Sequence, residues 1–146
     1  MHKSKDVDVR FKCLVLAARG DVQSLRDLRG VHVRLLRAVR AALWALVDSG
    51  RFGAAVRRGT VRMYLHYPPG TYHLHVHATH ARVARGVHVE RAHLLDDVIE
   101  ALAADGEHFA RASLTYELPA GALLEALQAA AAADDATAAA AAGGGE

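Results

Sequence analysis

Tyr72-His73-Leu74-His75-Val76-His77-Ala78-Thr79 alternates imidazoles with apolar side chains. Strand side chains repeat every two residues. His73, His75 and His77 therefore share one face of a strand, and Leu74, Val76 and Ala78 share the other, toward a core. Thr60 to Tyr67 alternates likewise, with Val61, Met63 and Leu65 against Arg62, Tyr64 and His66. Pro68-Pro69-Gly70 separates this run from the alternation of Thr71 to Thr79, and the two read as neighbouring antiparallel strands joined by a tight connection.

Three imidazoles on one strand face admit three readings. One is a solvated sheet face that happens to be rich in histidine. A second is a zinc site, since His-X-His on a strand supplies two ligands, with His66 or His80 to complete the set. Against a single ion held by all three, residues i and i+4 of a strand lie roughly 13 Å apart at about 3.3 Å per residue. The third is phosphoryl or nucleotidyl transfer through a phosphohistidine. A neutral imidazole attacks phosphorus well and leaves again when water attacks. Its neighbours can orient it, stabilise phosphate oxygens and protonate the leaving group. The central position of His75 between two helpers suits this third reading, and at most one or two of the three rings would be charged at neutral pH.

Working outward, residues 31–48 place Leu35, Leu36, Val39, Leu43, Leu46 and Val47 at helical spacing, with Arg34, Arg37 and Arg40 mostly opposite. Trp44 falls near the apolar stripe and suits core or interface better than base stacking. Glu90 to Ala104 predicts a second helix with Leu94, Leu95, Val98, Ile99 and Leu102 inward, ended by Asp105-Gly106. Ala112 to Leu118 is a strand candidate closed by Pro119, and Ala120 to Ala130 a helix. From about Ala129 the chain is nearly pure alanine, which favours helix but has nothing to bury and is expected to fray. Residues 7–17 alternate at first and then turn uniformly apolar through Ala18, so strand and helix both remain open there. The expected organisation is a short N-terminal segment 1–23, a domain 24–128 and an Ala/Gly-rich tail 129–146.

The 146 residues suit one modest core, built from Leu and Val because aromatics are only 5%. Eighteen Lys and Arg against 16 Asp and Glu leave too small an excess for extended DNA binding. The single cysteine, Cys13, excludes an internal disulfide and reads as a small core residue. No run is long and apolar enough to span a bilayer, and no signal-peptide core follows Met1-His2-Lys3-Ser4-Lys5. These features lead to the expectation of a soluble intracellular protein.

His-apolar-His-apolar-His followed by small or apolar residues resembles the signature of the histidine-triad superfamily. The flanks resemble one branch, the scavenger mRNA decapping enzymes: Ser24-Leu25-Arg26-Asp27-Leu28, Met63-Tyr64-Leu65-His66-Tyr67, and Val89-Glu90-Arg91-Ala92-His93-Leu94-Leu95 with Val98-Ile99-Glu100. The likeness runs nearly collinearly from about Ser24 to Leu127.

It implies an α+β histidine-triad fold, an antiparallel sheet packed with helices, forming a homodimer. It implies a hydrolase that cuts the triphosphate bridge of capped RNA fragments or cap dinucleotides and releases 7-methylguanosine monophosphate. By the same resemblance His75 is the nucleophile, and His73 and His77 orient it and handle phosphate and leaving group. Arg91, His66, Tyr67 and Tyr72 contact substrate, no metal or other cofactor is required, and the location is cytoplasmic or nuclear.

The chain departs from the family where Gly70 and Thr71 stand in place of a serine and a tyrosine. The loop after the triad carries His80, Arg82 and Arg85, and no segment matches the family's N-terminal domain. Asp8-Val9-Arg10-Phe11 matches its base-gripping stretch only weakly. These departures touch recognition of the methylated base rather than phosphate chemistry. The alternatives are a general dinucleoside polyphosphate hydrolase without cap selectivity, or a non-catalytic nucleotide- or partner-binding module.

Overall fold

The computed structural model describes residues 11–16, 20–83, 87–117 and 120–142. The chain forms two compact units, Met1–Tyr116 and Glu117–Glu146. In the first, strands β1 (Lys12–Leu16), β2 (Val61–His66), β3 (His75–His80) and β4 (Ala92–Leu94) build one antiparallel sheet in the order β1-β3-β2-β4. Helices α1 (Val33–Asp48), α2 (Leu95–Ala104) and the short α3 (His108–Arg111) complete it. The first unit is thus α+β, as the sequence leads one to expect.

The alternation in β2 and β3 does what its period demands. Met63 pairs with Ala78, and both belong to a buried cluster with Leu65, Leu74 and Val76. Leu36, Leu43 and Val47 of α1 and Leu95, Val98, Ile99 and Leu102 of α2 join the same cluster. Trp44 packs partly against it, with the Arg58 guanidinium 5.5 Å over its ring. Residues 12–16 resolve the open choice at the N-terminus as a strand, in which Cys13 and Val15 turn toward the core while Leu14 and Leu16 stay exposed. Residues 7–10 and 17–19 lie outside the described ones.

Four elements differ from expectation. β3 begins at His75 rather than Thr71, because the Leu74 amide is taken by the Val22 carbonyl instead of a neighbouring strand. The helix expected from Glu90 starts only at Leu95. Val89–Arg91 form a 3-10 turn, and residues 92–94 fill the outer edge of β2, pairing Ala92 with His66 and Leu94 with Tyr64. Leu94 is accordingly exposed, and Arg91 ends a turn before a strand instead of starting a helix. Residues 112–117 form no strand. The Ala112 carbonyl accepts from Arg26 instead, and Leu118 lies outside the described residues. In the second unit, helix α4 (Ala122–Ala142) carries on through the alanine tract instead of fraying at 129, as alanine's helix propensity allows.

Candidate active site

The register assigns the face of the sheet turned away from the apolar cluster residue by residue. Leu14, His77, Tyr64 and Leu94 form one row across the strands, and Lys12, Thr79 and Arg62 the next. Leu16 and His75 lie across β1 and β3, His66 and Ala92 across β2 and β4.

Four imidazoles and a phenol gather there. The His77 ring stacks on Tyr64 with centroids 5.1 Å apart and planes at 10°. Its centroid is 4.9 Å from that of His75 and 4.6 Å from that of His66, and His88 stands 5.9 Å beyond His66. Both His77 ring nitrogens are buried with no hydrogen-bond partner among the described residues. Burial, then repulsion from the cationic forms of His66 and His75 and from Lys12 and Arg91, pushes its pKa down to about 4. His77 is therefore neutral at pH 7, offering one N–H and one lone pair to whatever enters. Leaving such atoms unpaired costs free energy that a hydrogen-bonding ligand would return.

His75 is oriented differently. Its Nδ1 lies 2.7 Å from the His73 carbonyl oxygen, which only accepts, so Nδ1 carries the hydrogen. In the neutral ring the lone pair then sits on Nε2, the tautomer a nucleophile needs. His66 Nε2 donates to the Val87 carbonyl at 2.7 Å. Burial lowers its pKa, and the Val87 bond partly opposes that shift.

Arg91 is half-buried, its Nε is without a hydrogen-bond partner among the described residues, and its charge is felt at both His66 and His77. Its carbonyl accepts the Tyr67 amide at 2.9 Å. The Tyr67 hydroxyl accepts from Arg26 Nε at 3.3 Å, and its ring meets Tyr116 edge-on.

Of the residues singled out in the sequence, His75, His77 and His66 thus come together, with Arg91 beside them. His73 sits in the bend ahead of β3, contributing the carbonyl that His75 uses. Tyr72 stands 63% exposed in the same bend. His93, half-buried against Phe109, has its pKa lowered by burial. Among the described residues no group of three or more His, Cys, Asp or Glu side chains has the arrangement to hold a metal ion. Reasoning from the triad alone misses Tyr64 and Arg26. Strand parity carried a signal for Tyr64, two positions from His66 on the same face, and the Ser24-x-x-Asp27 spacing carried one for the turn that bears Arg26.

With this geometry established, comparison defines the class. The family model described as scavenger mRNA decapping enzyme C-term binding matches residues 3–93, more than half of the chain, and the chain belongs to that family. Its relatives include the m7GpppX diphosphatases of Bos taurus, 44% identical over 120 residues, and Homo sapiens, 41% identical over 120; each match covers 80% of this chain and 34% of the relative. That of Schizosaccharomyces pombe is 35% identical over 100 residues, covering 67% of this chain and 32% of the relative. The chain spans about a third of the length of the curated relatives it matches. Among the described residues no helix is long and apolar enough to cross a membrane.

Proposed function

We propose that this chain is a histidine-triad hydrolase of methylguanosine-capped RNA fragments or cap dinucleotides, with His75 as nucleophile. The observation that carries the reading is the His75–His73 hydrogen bond, which assigns the lone pair of the neutral ring to Nε2, within a wall of imidazoles. The relatives' name, m7GpppX diphosphatase, supplies the substrate class.

His75 Nε2 attacks the phosphorus next to the methylated nucleoside. An N–P bond forms, the P–O bond of the bridge breaks, and the leaving diphosphate takes a proton. Water then attacks the phosphohistidine, the N–P bond breaks, and 7-methylguanosine monophosphate departs. His77 is uncharged in the free protein, and an arriving phosphate raises its pKa so that it can hold and pass a proton. His73 helps through its carbonyl, which fixes the nucleophile's tautomer. Arg91 supplies the fixed positive fork for phosphate oxygens. His66, Tyr67 and Tyr72 line the approach. The mechanism requires no metal or other cofactor.

Homodimer formation belongs to the same reading and is supported by exposed Leu14 and Leu16 on the edge strand β1, with exposed Leu35 on α1. The proposed place of action is where capped fragments arise, in the cytoplasm or nucleus.

The test is incubation with methylated and unmethylated cap dinucleotides, following mononucleotide release beside His75→Asn. Release of 7-methylguanosine monophosphate that the variant loses upholds the reading. Equal hydrolysis of both substrates would reduce it to a general dinucleoside polyphosphate hydrolase. No turnover by the folded chain would leave a binding module.

A further inference from the structure

We infer that Lys12, Thr79 and Arg62 form a phosphate subsite for the RNA end of the substrate, one row along the sheet from His77; this rests on the capped-RNA reading given above. The register sets Thr79 of β3 between Lys12 of β1 and Arg62 of β2, so a hydroxyl stands between two cations. Strand parity puts Thr79 on the face of His75 and His77. The row acts on the imidazoles electrostatically, since the Lys12 charge is felt at the His77 ring. At its other end Arg62 lines a cleft with Tyr64, the ring on which His77 stacks.

The row lacks an anion. Among the described residues neither Lys12 nor Arg62 is in an ion pair. Thr79 is 1% exposed and its Oγ1 has no hydrogen-bond partner among them, and the buried Arg62 Nε has none either. Arg62 Nη2 donates to the Val83 carbonyl beyond the end of β3, which fixes the fork without neutralising it. Donors left in this state cost free energy that phosphate oxygens would return.

Position and charge say which part of the substrate belongs there. From His75 to Thr79 is roughly 13 Å at about 3.3 Å per residue. With one phosphorus held at His75, the two remaining phosphates of the bridge do not stretch so far, whereas the nucleotides after them do. Methylation at N7 makes the guanine itself a cation, so Lys12 and Arg62 repel that end and attract the anionic RNA. The subsite thus favours capped fragments over the bare cap dinucleotide.

The experiment compares kcat/KM, in the full chain, for the methylated cap dinucleotide and for the same cap carrying three further nucleotides. The wild-type chain prefers the longer substrate. Lys12→Met, a change at an exposed position, lowers that preference by about fivefold. The ratio cancels any effect of Lys12 on His77 that both substrates share. On the longer substrate its slope of log kcat/KM against log salt flattens by about 0.7, the counterion share of one single-strand phosphate. Thr79→Val, which removes the hydroxyl and keeps the shape, lowers the preference without lowering the urea midpoint. A wild-type chain indifferent to length, or variants that keep its preference, would overturn the inference.

A second arm needs no turnover: calorimetric binding of a 5′-diphosphorylated RNA trinucleotide beside that of a nucleoside 5′-diphosphate. The trinucleotide binds the wild-type chain more tightly, and Lys12→Met and Arg62→Met each narrow the gap. Equal affinity of the wild-type chain for the two would overturn the subsite. A chain that cleaves neither capped substrate would defeat the functional reading, and the binding arm would still decide whether the row holds RNA phosphates.

Discussion

Met63 and Leu65 on β2 bury their side chains among those of α1 and α2, whereas Tyr64 and His66, one residue along, meet imidazoles and the loop after β3. Both faces of the strand are buried: Met63, Tyr64, Leu65 and His66 are all 8% exposed or less. They differ in what burial yields. On the apolar face each side chain removed from water stabilises the fold by about 1.5–3 kcal/mol. On the other, His77 Nδ1 and Nε2, Thr79 Oγ1, Arg62 Nε and Arg91 Nε are buried with no partner among the described residues, so burial there costs stability. Polar atoms held unpaired beside one another mark the place where the molecule is arranged for something other than its own folding.

The sharpest way to break this contrast is His75→Asn. Mononucleotide release should fall by at least about a thousandfold, while the urea midpoint stays where it was, because the nucleophile contributes chemistry and little packing. An active His75→Asn chain would remove the functional meaning of the polar face. Leu65→Ala, whose side chain is 1% exposed, should do the reverse. A loss of roughly 2–5 kcal/mol in urea unfolding is expected.

The third probe is pH. His77 titrates near 6.5 when unfolded and near 4 when folded, so between those values the unfolded chain binds the extra proton. Stability is thus complete above about pH 6.5 and declines as pH falls toward 4, by roughly 1–2 kcal/mol after allowance for solvent screening. Burial of His66 and His93 acts in the same direction. His77→Leu should flatten the acid slope in urea titrations at pH 7 and pH 5, and an unchanged slope would assign it elsewhere. Least is expected of Arg40→Ala, which removes an ion pair with Asp96 on the exterior, where such pairs contribute about 0–1 kcal/mol.

The same contrast explains how much could be read from residues alone. β2, β3 and α1 declare themselves because their apolar period sums over many positions and agrees with burial at each one. β4 does not, since three residues carry no period and become a strand only because β2 has a free edge from Tyr64 to His66. The alternation over 112–118 misleads for the converse reason: the pattern is there, and residues 112–117 find no partner strand. In the site, parity fixes His75 and His77, while His73 falls outside β3, where the Leu74 amide bonds to the Val22 carbonyl. Arg91 is flagged only by family resemblance. Tyr64 under His77 and Arg26 against Tyr67 depend on pairings that join distant parts of the chain, which one-dimensional spacing does not encode.

The bond from His75 to the carbonyl of His73 has an evolutionary consequence. Its acceptor belongs to the main chain two residues back, so no exchange of the His73 side chain can delete it. Sequence drift can wear away the groups that choose a substrate while the poised nitrogen persists, passed on with the bend of the backbone itself.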